Sequence, residues 1–220
     1  MTQTYSDPAL AQRMKRREVP NAPIDMLAVK GDGPSAETAR AALRTLHETW
    51  TLISDAAKNT EVELSELTKV GDRALKRGLK AMDNAHETVR KQIAFTDGKI
   101  RDVVQPTISP QMAAEIRSLV RSDPAKALLM VREDPRISSA VLSGPASLSG
   151  VTQDEQERLK AAAIAAHAPE LGAQKHEAEL ALSLMERMGS HATAVLASKL
   201  HSWGNAQPTQ MDALRKAAAA

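Results

Sequence analysis

Residues 35–104 read SAETARAALRTLHETWTLISDAAKNTEVELSELTKVGDRALKRGLKAMDNAHETVRKQIAFTDGKIRDVV, seventy residues without a proline, and the reading of the whole fold turns on them. The positions Leu43, Leu46, Trp50, Ile53, Ala57, Thr60, Leu64 and Leu67 alternate steps of three and four. That is the heptad spacing that keeps one seam of an α-helix turned toward a partner. Beyond Leu67 the seam takes three steps of four, to Gly71, Leu75 and Leu79, and then reaches Met82. It resumes through His86, Val89, Ile93, Thr96, Ile100 and Val103. A slip of this kind relaxes a supercoil without ending the helix. One continuous helix here would be about 100 Å long.

Two places compete with continuity. Gly71 and Gly78 lie within the slip, and each glycine costs about 1 kcal/mol against alanine in a helix interior. Thr96-Asp97-Gly98 carries an Asp-Gly turn signal. An antiparallel hairpin broken at either place is therefore the alternative to a rod.

The seam is poor glue, because alanine, threonine, glycine and histidine hold several of its positions. Left alone it would be wet, so it must pack on another part of the chain or on other copies. The expectation is self-association, with Leu43, Leu46, Trp50, Ile53, Leu64, Leu67, Leu75, Leu79, Met82, Val89 and Ile93 as the oligomer interface. The same spacing would equally serve a core. Charge is polarised along the stretch: acids lead six to three from Glu37 to Glu66, and bases lead nine to five from Leu67 to Val104. Ordinary intrahelical pairs on a solvated face account for this; staggered packing of acidic on basic halves is the other reading.

Composition points the same way. Tyr5, Trp50, Phe95 and Trp203 are the only aromatic residues, and alanine is abundant. Large rings usually close a thick core, so thin layers of close helices are expected instead. No run alternates with period two, which predicts an all-α fold. The net charge of +2 is not that of a chain built to coat a phosphate backbone. The lack of cysteine removes disulfides, thiolate nucleophiles and zinc–sulfur sites. Neither a secretory leader nor an apolar run of about 18 residues is present, so a cytoplasmic location, or a place in a particle assembled there, is expected.

Outward from the long stretch, residues 1–34 read as an arm. Ser6-Asp7-Pro8 starts a short helix running to about Arg17. Its Arg13, Lys15, Arg16 and Arg17 are either a nucleic-acid contact or a solvated helix end. Ile24, Met26, Leu27 and Val29 are apolar anchors for an extended segment broken by Pro20, Pro23, Gly31, Gly33 and Pro34. Residues 105–150 change style. Ser109-Pro110, Asp123-Pro124 and Asp134-Pro135 each set a capping oxygen before a proline. They predict helices over 110–122, 124–132 and 135–143. Ile116, Leu119 and Val120, then Leu128, Leu129 and Val131, then Ile137, Val141 and Leu142 are their apolar faces. Residues 151–220 form a C-terminal helical pair. Thr152-Gln153-Asp154-Glu155 fits a capping box, with a helix to about His167 and a second from Pro169 to Trp203. The latter carries Leu180, Leu184, Met188, Ala192, Leu196, Leu200 and Trp203 among many small residues. Thr209 would cap a last short helix.

Catalytic chemistry is not signalled. The six histidines, His47, His86, His167, His176, His191 and His201, make no metal-ligand spacing. His86, on the seam, is the one placed to make assembly sensitive to pH. Gly31 and Gly33 follow no strand, so they form no phosphate cradle. Ser138, Ser139, Ser143, Ser147 and Ser149 have no histidine and acid at recognisable spacing. Methionines such as Met112, Met130, Met185 and Met188 read as core filler. No cofactor is expected.

The run 134–150, DPRISSAVLSGPASLSG, resembles a segment of uncharacterised helical proteins of tailed bacteriophages and prophages. In its alanine-rich helices the chain is also similar in style to virion components held inside the head or near the portal. The resemblance implies a ring or bundle of copies, with other virion proteins as partners. It assigns no residue a role. The expected function is thus a non-enzymatic, elongated, homo-oligomeric assembly protein. A nucleic-acid-associated protein using residues 13–17 and the basic stretch 69–80 is the alternative. A membrane-meeting amphipathic bundle, through residues 170–203, ranks third.

Overall fold

A computed structural model of the chain describes residues 8–59 and 61–205, with residues 8–10 and 13 described by their backbone alone. All regular structure among the described residues is helical. The α-helices are α1 (Pro8–Arg17), α2 (Pro34–Lys58), α3 (Leu64–Val104), α4 (Pro110–Ser122), α5 (Ala127–Glu133), α6 (Pro135–Leu142), α7 (Gln153–His167) and α8 (Pro169–Gly204). Short 3-10 turns lie at Met26–Ala28, Pro124–Lys126 and Ala146–Ser149. The chain divides into two compact units: Met1–Val89 with Ala181–Ala220, and Arg90–Leu180. The segments 1–34, 35–104, 105–150 and 151–220 are therefore not units of packing, because α3 and α8 each pass through both units.

In the first unit the long stretch is a hairpin, broken at neither expected place. The break is at residues 59–63, while Gly71, Gly78 and Gly98 all lie inside α3. Asn59 makes it: its N–H reaches Ala56 O at 3.2 Å, and its Oδ1 accepts from the Glu61 N–H at 3.0 Å, an Asx turn. The Arg17 guanidinium then donates to Asn59 O at 2.6 Å and to Val62 O. A cation at the C-terminal end of a helix also suits the backbone dipole.

The glycines of the slip serve close packing. A Cβ at Gly71 would collide with Leu200 Cδ2, and one at Gly78 would sit 3.1 Å from Thr49 Oγ1. In this unit α3 runs antiparallel to α8, since Thr68, Gly71 and Met82 meet Gly204, Leu200 and Gly189 in that order. Here Leu43, Leu46, Trp50, Ile53, Leu67, Leu75, Met82 and Val89 are all buried, Leu64 and Leu79 partly so. Ile93, in the other unit, is likewise partly buried. Most of the seam expected to meet other copies is thus buried within the chain. In this unit α2 and α8 both lie against α3, at Gly78 and at Gly71 and Met82. Thr60, also on the seam, lies outside the described residues.

The arm binds its own chain. Trp50 Nε1 donates to Pro20 O at 2.9 Å, and Arg40 donates to Val29 O and Gly31 O at 3.1 and 2.6 Å. Of the four expected anchors Val29 is buried, Ile24 and Met26 are half-buried, and Leu27 is 89% exposed.

The second unit follows its caps. Ser109 Oγ accepts from the Met112 N–H, and Asp134 Oδ1 accepts from the Arg136 N–H. Thr152 and Glu155 complete the capping box that starts α7. Asp123 departs from the pattern. Its carboxylate pairs with Lys126 at 2.8 Å beside a 3-10 turn and makes no cap bond. The core is built from aliphatic residues, mostly valine and alanine: Ile100, Val104, Val120, Ala127, Val131, Val141, Val151, Leu159 and Ala163. Val120 and Val131 point inward, whereas Leu119, Leu128 and Leu129 do not, which corrects the expected apolar faces of α4 and α5. With helices this short, one branched residue per turn fills the interior, and its leucine neighbour is turned away. Buried Ser138 donates to Val104 O at 2.8 Å at the end of α3, and buried Ser139 donates to Pro106 O at 2.7 Å just beyond it.

These carboxylate contacts predict acid sensitivity. The Asp134 carboxyl is held below its ordinary 3.8 by the Arg136 side chain, and Asp123 likewise by Lys126. Glu155 is held below its ordinary 4.5 by the Thr152 backbone N–H. A depressed folded-state value stabilises the fold above the unfolded value, and that contribution disappears as pH falls through the folded one. The melting temperature by circular dichroism should therefore be flat from neutral pH to about pH 5 and fall below about pH 4. Asp134→Asn should shrink the fall.

Candidate functional site

Of the basic residues at the end of α1, Lys15 and Arg16 are exposed, and Arg17 is 5% exposed and spent on the α2–α3 turn. Arg17 is thus a structural cap, which corrects its assignment to nucleic-acid contact. The Arg13 side chain lies outside the described residues, as does the predicted helix after Thr209. The histidines do not converge. His167 Nε2 lies 2.8 Å from Val131 O, and His201 Nε2 lies 2.8 Å from Asn205 Nδ2. His47 Nδ1 and His86 Nε2 are buried without a hydrogen-bond partner. Among the described residues no three His, Asp or Glu side chains are grouped to hold a metal ion. No described helix is long and apolar enough to cross a membrane.

One feature of the second unit brings side chains together, and a second leaves aliphatic side chains exposed. The first is a pocket of about 200 Å³ between α3, α7 and α8, lined by Asp97, Ile100, Arg101, Val104, Gln105, Lys160, Ile164 and Lys175. Asp97, Ile100, Arg101 and Val104 share one face of α3 by their three- and four-residue spacing. Lys160 and Ile164, four apart, do the same on α7. Lys175 Nζ donates to Asp97 Oδ1 at 2.6 Å and lies 3.6 Å from Glu179 Oε1. That bond to Asp97 holds the Lys175 ammonium above its ordinary value against the opposing effect of burial. Ile100 and Val104 are nearly fully buried, so the floor is apolar and the walls are charged.

The second feature is a set of exposed aliphatic side chains. Leu119 on α4 and Leu129 on α5 are 55% and 57% exposed. Met112, Leu128 and Leu148 are exposed as well. Leu148 sits on the 3-10 turn that packs against α4, and Arg121 holds that turn by donating to Leu148 O. Charges of both signs are exposed on α4, α5 and the 3-10 turn between them: Glu115, Arg121, Lys126, Arg132 and Glu133.

Comparison with protein families, characterised proteins and solved structures gives no match to this chain. The geometry alone therefore carries the functional reading. Neither feature was found from sequence. Arg101, Lys160 and Lys175 are separated by 59 and 15 residues and meet only once three helices pack. For the leucines the sequence offered no such signal, since Leu128 and Leu129 are both exposed while Val131 on the same helix is buried.

Proposed function

We propose that the chain is a non-enzymatic helical assembly protein, and that copies associate through the exposed leucines of α4, α5 and the Ala146–Ser149 turn. The carrying observation is the exposure of Leu119 and Leu129 in a unit whose own core is already closed by valines and alanines. Exposed aliphatic groups that adjoin one another mark a protein contact, and α4, which carries Met112 and Leu119, packs against the turn that carries Leu148. The mixture of Glu115, Glu133, Arg121 and Arg132 on the same elements favours a second copy as the occupant. In a two-fold contact each patch meets itself, so a face holding both signs is self-complementary. The resemblance of residues 134–150 to helical phage proteins agrees with this reading, with a virion as the setting.

The test is solution mass by light scattering. The native chain should be a dimer or larger, and Leu119→Asp with Leu129→Asp should reduce it to the mass of one chain without loss of helicity. A native chain already of single-chain mass at high concentration rejects the proposal.

A further inference from the structure

The pocket between α3, α7 and α8 presents three cations and one carboxylate to a small space. Asp97 is committed to Lys175 at 2.6 Å. Glu179 faces Lys175 from α8 itself at 3.6 Å, and Glu157 faces Lys160 from α7 at 3.9 Å, both largely exposed. Such intrahelical pairs at the surface hold little energy, so Lys160 stays available, and no acid of the lining beyond Asp97 opposes Arg101. The fixed Asp97–Lys175 bond places one ammonium, and α3 and α7 place a guanidinium and a second ammonium around it. Beneath them lie Ile100, Val104 and Ile164. An apolar floor lowers the local dielectric and strengthens attraction for an anion. Size selects the ligand. About 200 Å³ is below the usual range of about 300–1,000 Å³ for pockets that enclose drug-sized molecules, yet it admits one tetrahedral oxyanion.

We propose that Arg101, Lys160 and Lys175 form a binding site for a phosphate-sized dianion, either inorganic phosphate or the terminal phosphate of a small ester. A guanidinium takes two oxygens of a phosphoryl group in its planar fork, and each ammonium supplies a point charge. Gln105 offers an amide at the same rim. The site is independent of the leucine face, and self-association plays no part in it.

Isothermal titration of the full chain at constant ionic strength tests the site, with inorganic phosphate and glycerol phosphate as separate titrants. Saturable one-to-one binding is expected. Arg101→Met with Lys160→Met should weaken it by about tenfold or more, while Lys69→Met with Lys76→Met, exposed lysines of α3 in the other unit, should leave it unchanged. Lys160→Met alone, on the exposed side of α7, serves as the milder variant should the double change disturb folding, and should also weaken binding. Tighter binding of glycerol phosphate identifies an ester as the ligand; tighter binding of phosphate identifies the free ion. No saturable heat from either, or equal affinity in native and pocket variants, overturns the proposal.

Discussion

Trp203→Ala is expected to cost about 3–5 kcal/mol, the range for removing a large buried ring. Trp203 is 2% exposed near the C-terminal end of α8, and its Nε1 donates to Arg16 O at 3.0 Å. The ring therefore does two things at once. It fills the first unit, and it ties α8 to the last turn of α1, whose next residue, Arg17, holds the α2–α3 turn. Removing it leaves a cavity and deprives the Arg16 carbonyl of its donor, and the two losses add. Urea unfolding followed by circular dichroism measures the cost. Trp203→Phe keeps most of the volume and should lose clearly less. A loss of under about 1 kcal/mol for the alanine variant, far below the buried-ring range, would mean that the end of α8 does not hold the unit together.

Leu46→Ala should cost about 2–5 kcal/mol. Leu46 is fully buried on α2, and its Cδ1 lies 3.3 Å from where a Cβ on Gly78 would stand. With α3 approaching that closely, there is little slack for neighbours to refill the space, which favours the upper part of the range. The measurement also decides between the two meanings of the heptad seam. A core leucine lowers stability and leaves the mass of the particle unchanged. An interface leucine lowers the mass and spares the fold of one chain. Stability lost at constant mass is the expected outcome.

Helix starts were legible in the sequence because capping is local chemistry. Ser109, Asp134 and Thr152 each satisfy an N–H within three residues, and α4, α6 and α7 begin where those residues predict. The α2–α3 turn was not legible. Its decisive donor, Arg17, lies 42 and 45 residues from the carbonyls it holds. Thr60 and Leu64 continue the heptad across the break as if nothing happened. Conversely, Gly71 looked like a weak point and is a contact. The residue that explains it, Leu200, is more than a hundred positions away on α8. The periodicity of α3 correctly showed that a face must be covered, and it held no information on whether a sibling or the same chain would do so. The basic pocket was hidden for a similar reason: each of its cations looks like an ordinary surface charge on its own helix.

The placement of the two indoles has a practical consequence. Trp50 and Trp203 both sit in the unit formed by Met1–Val89 and Ala181–Ala220, and the other unit has no tryptophan or tyrosine, only Phe95. Intrinsic emission therefore watches one half of the molecule and is blind to the valine-built half, whereas the amide signal sees both. Any mismatch between those two optical readouts on heating would show directly that the halves let go at different temperatures.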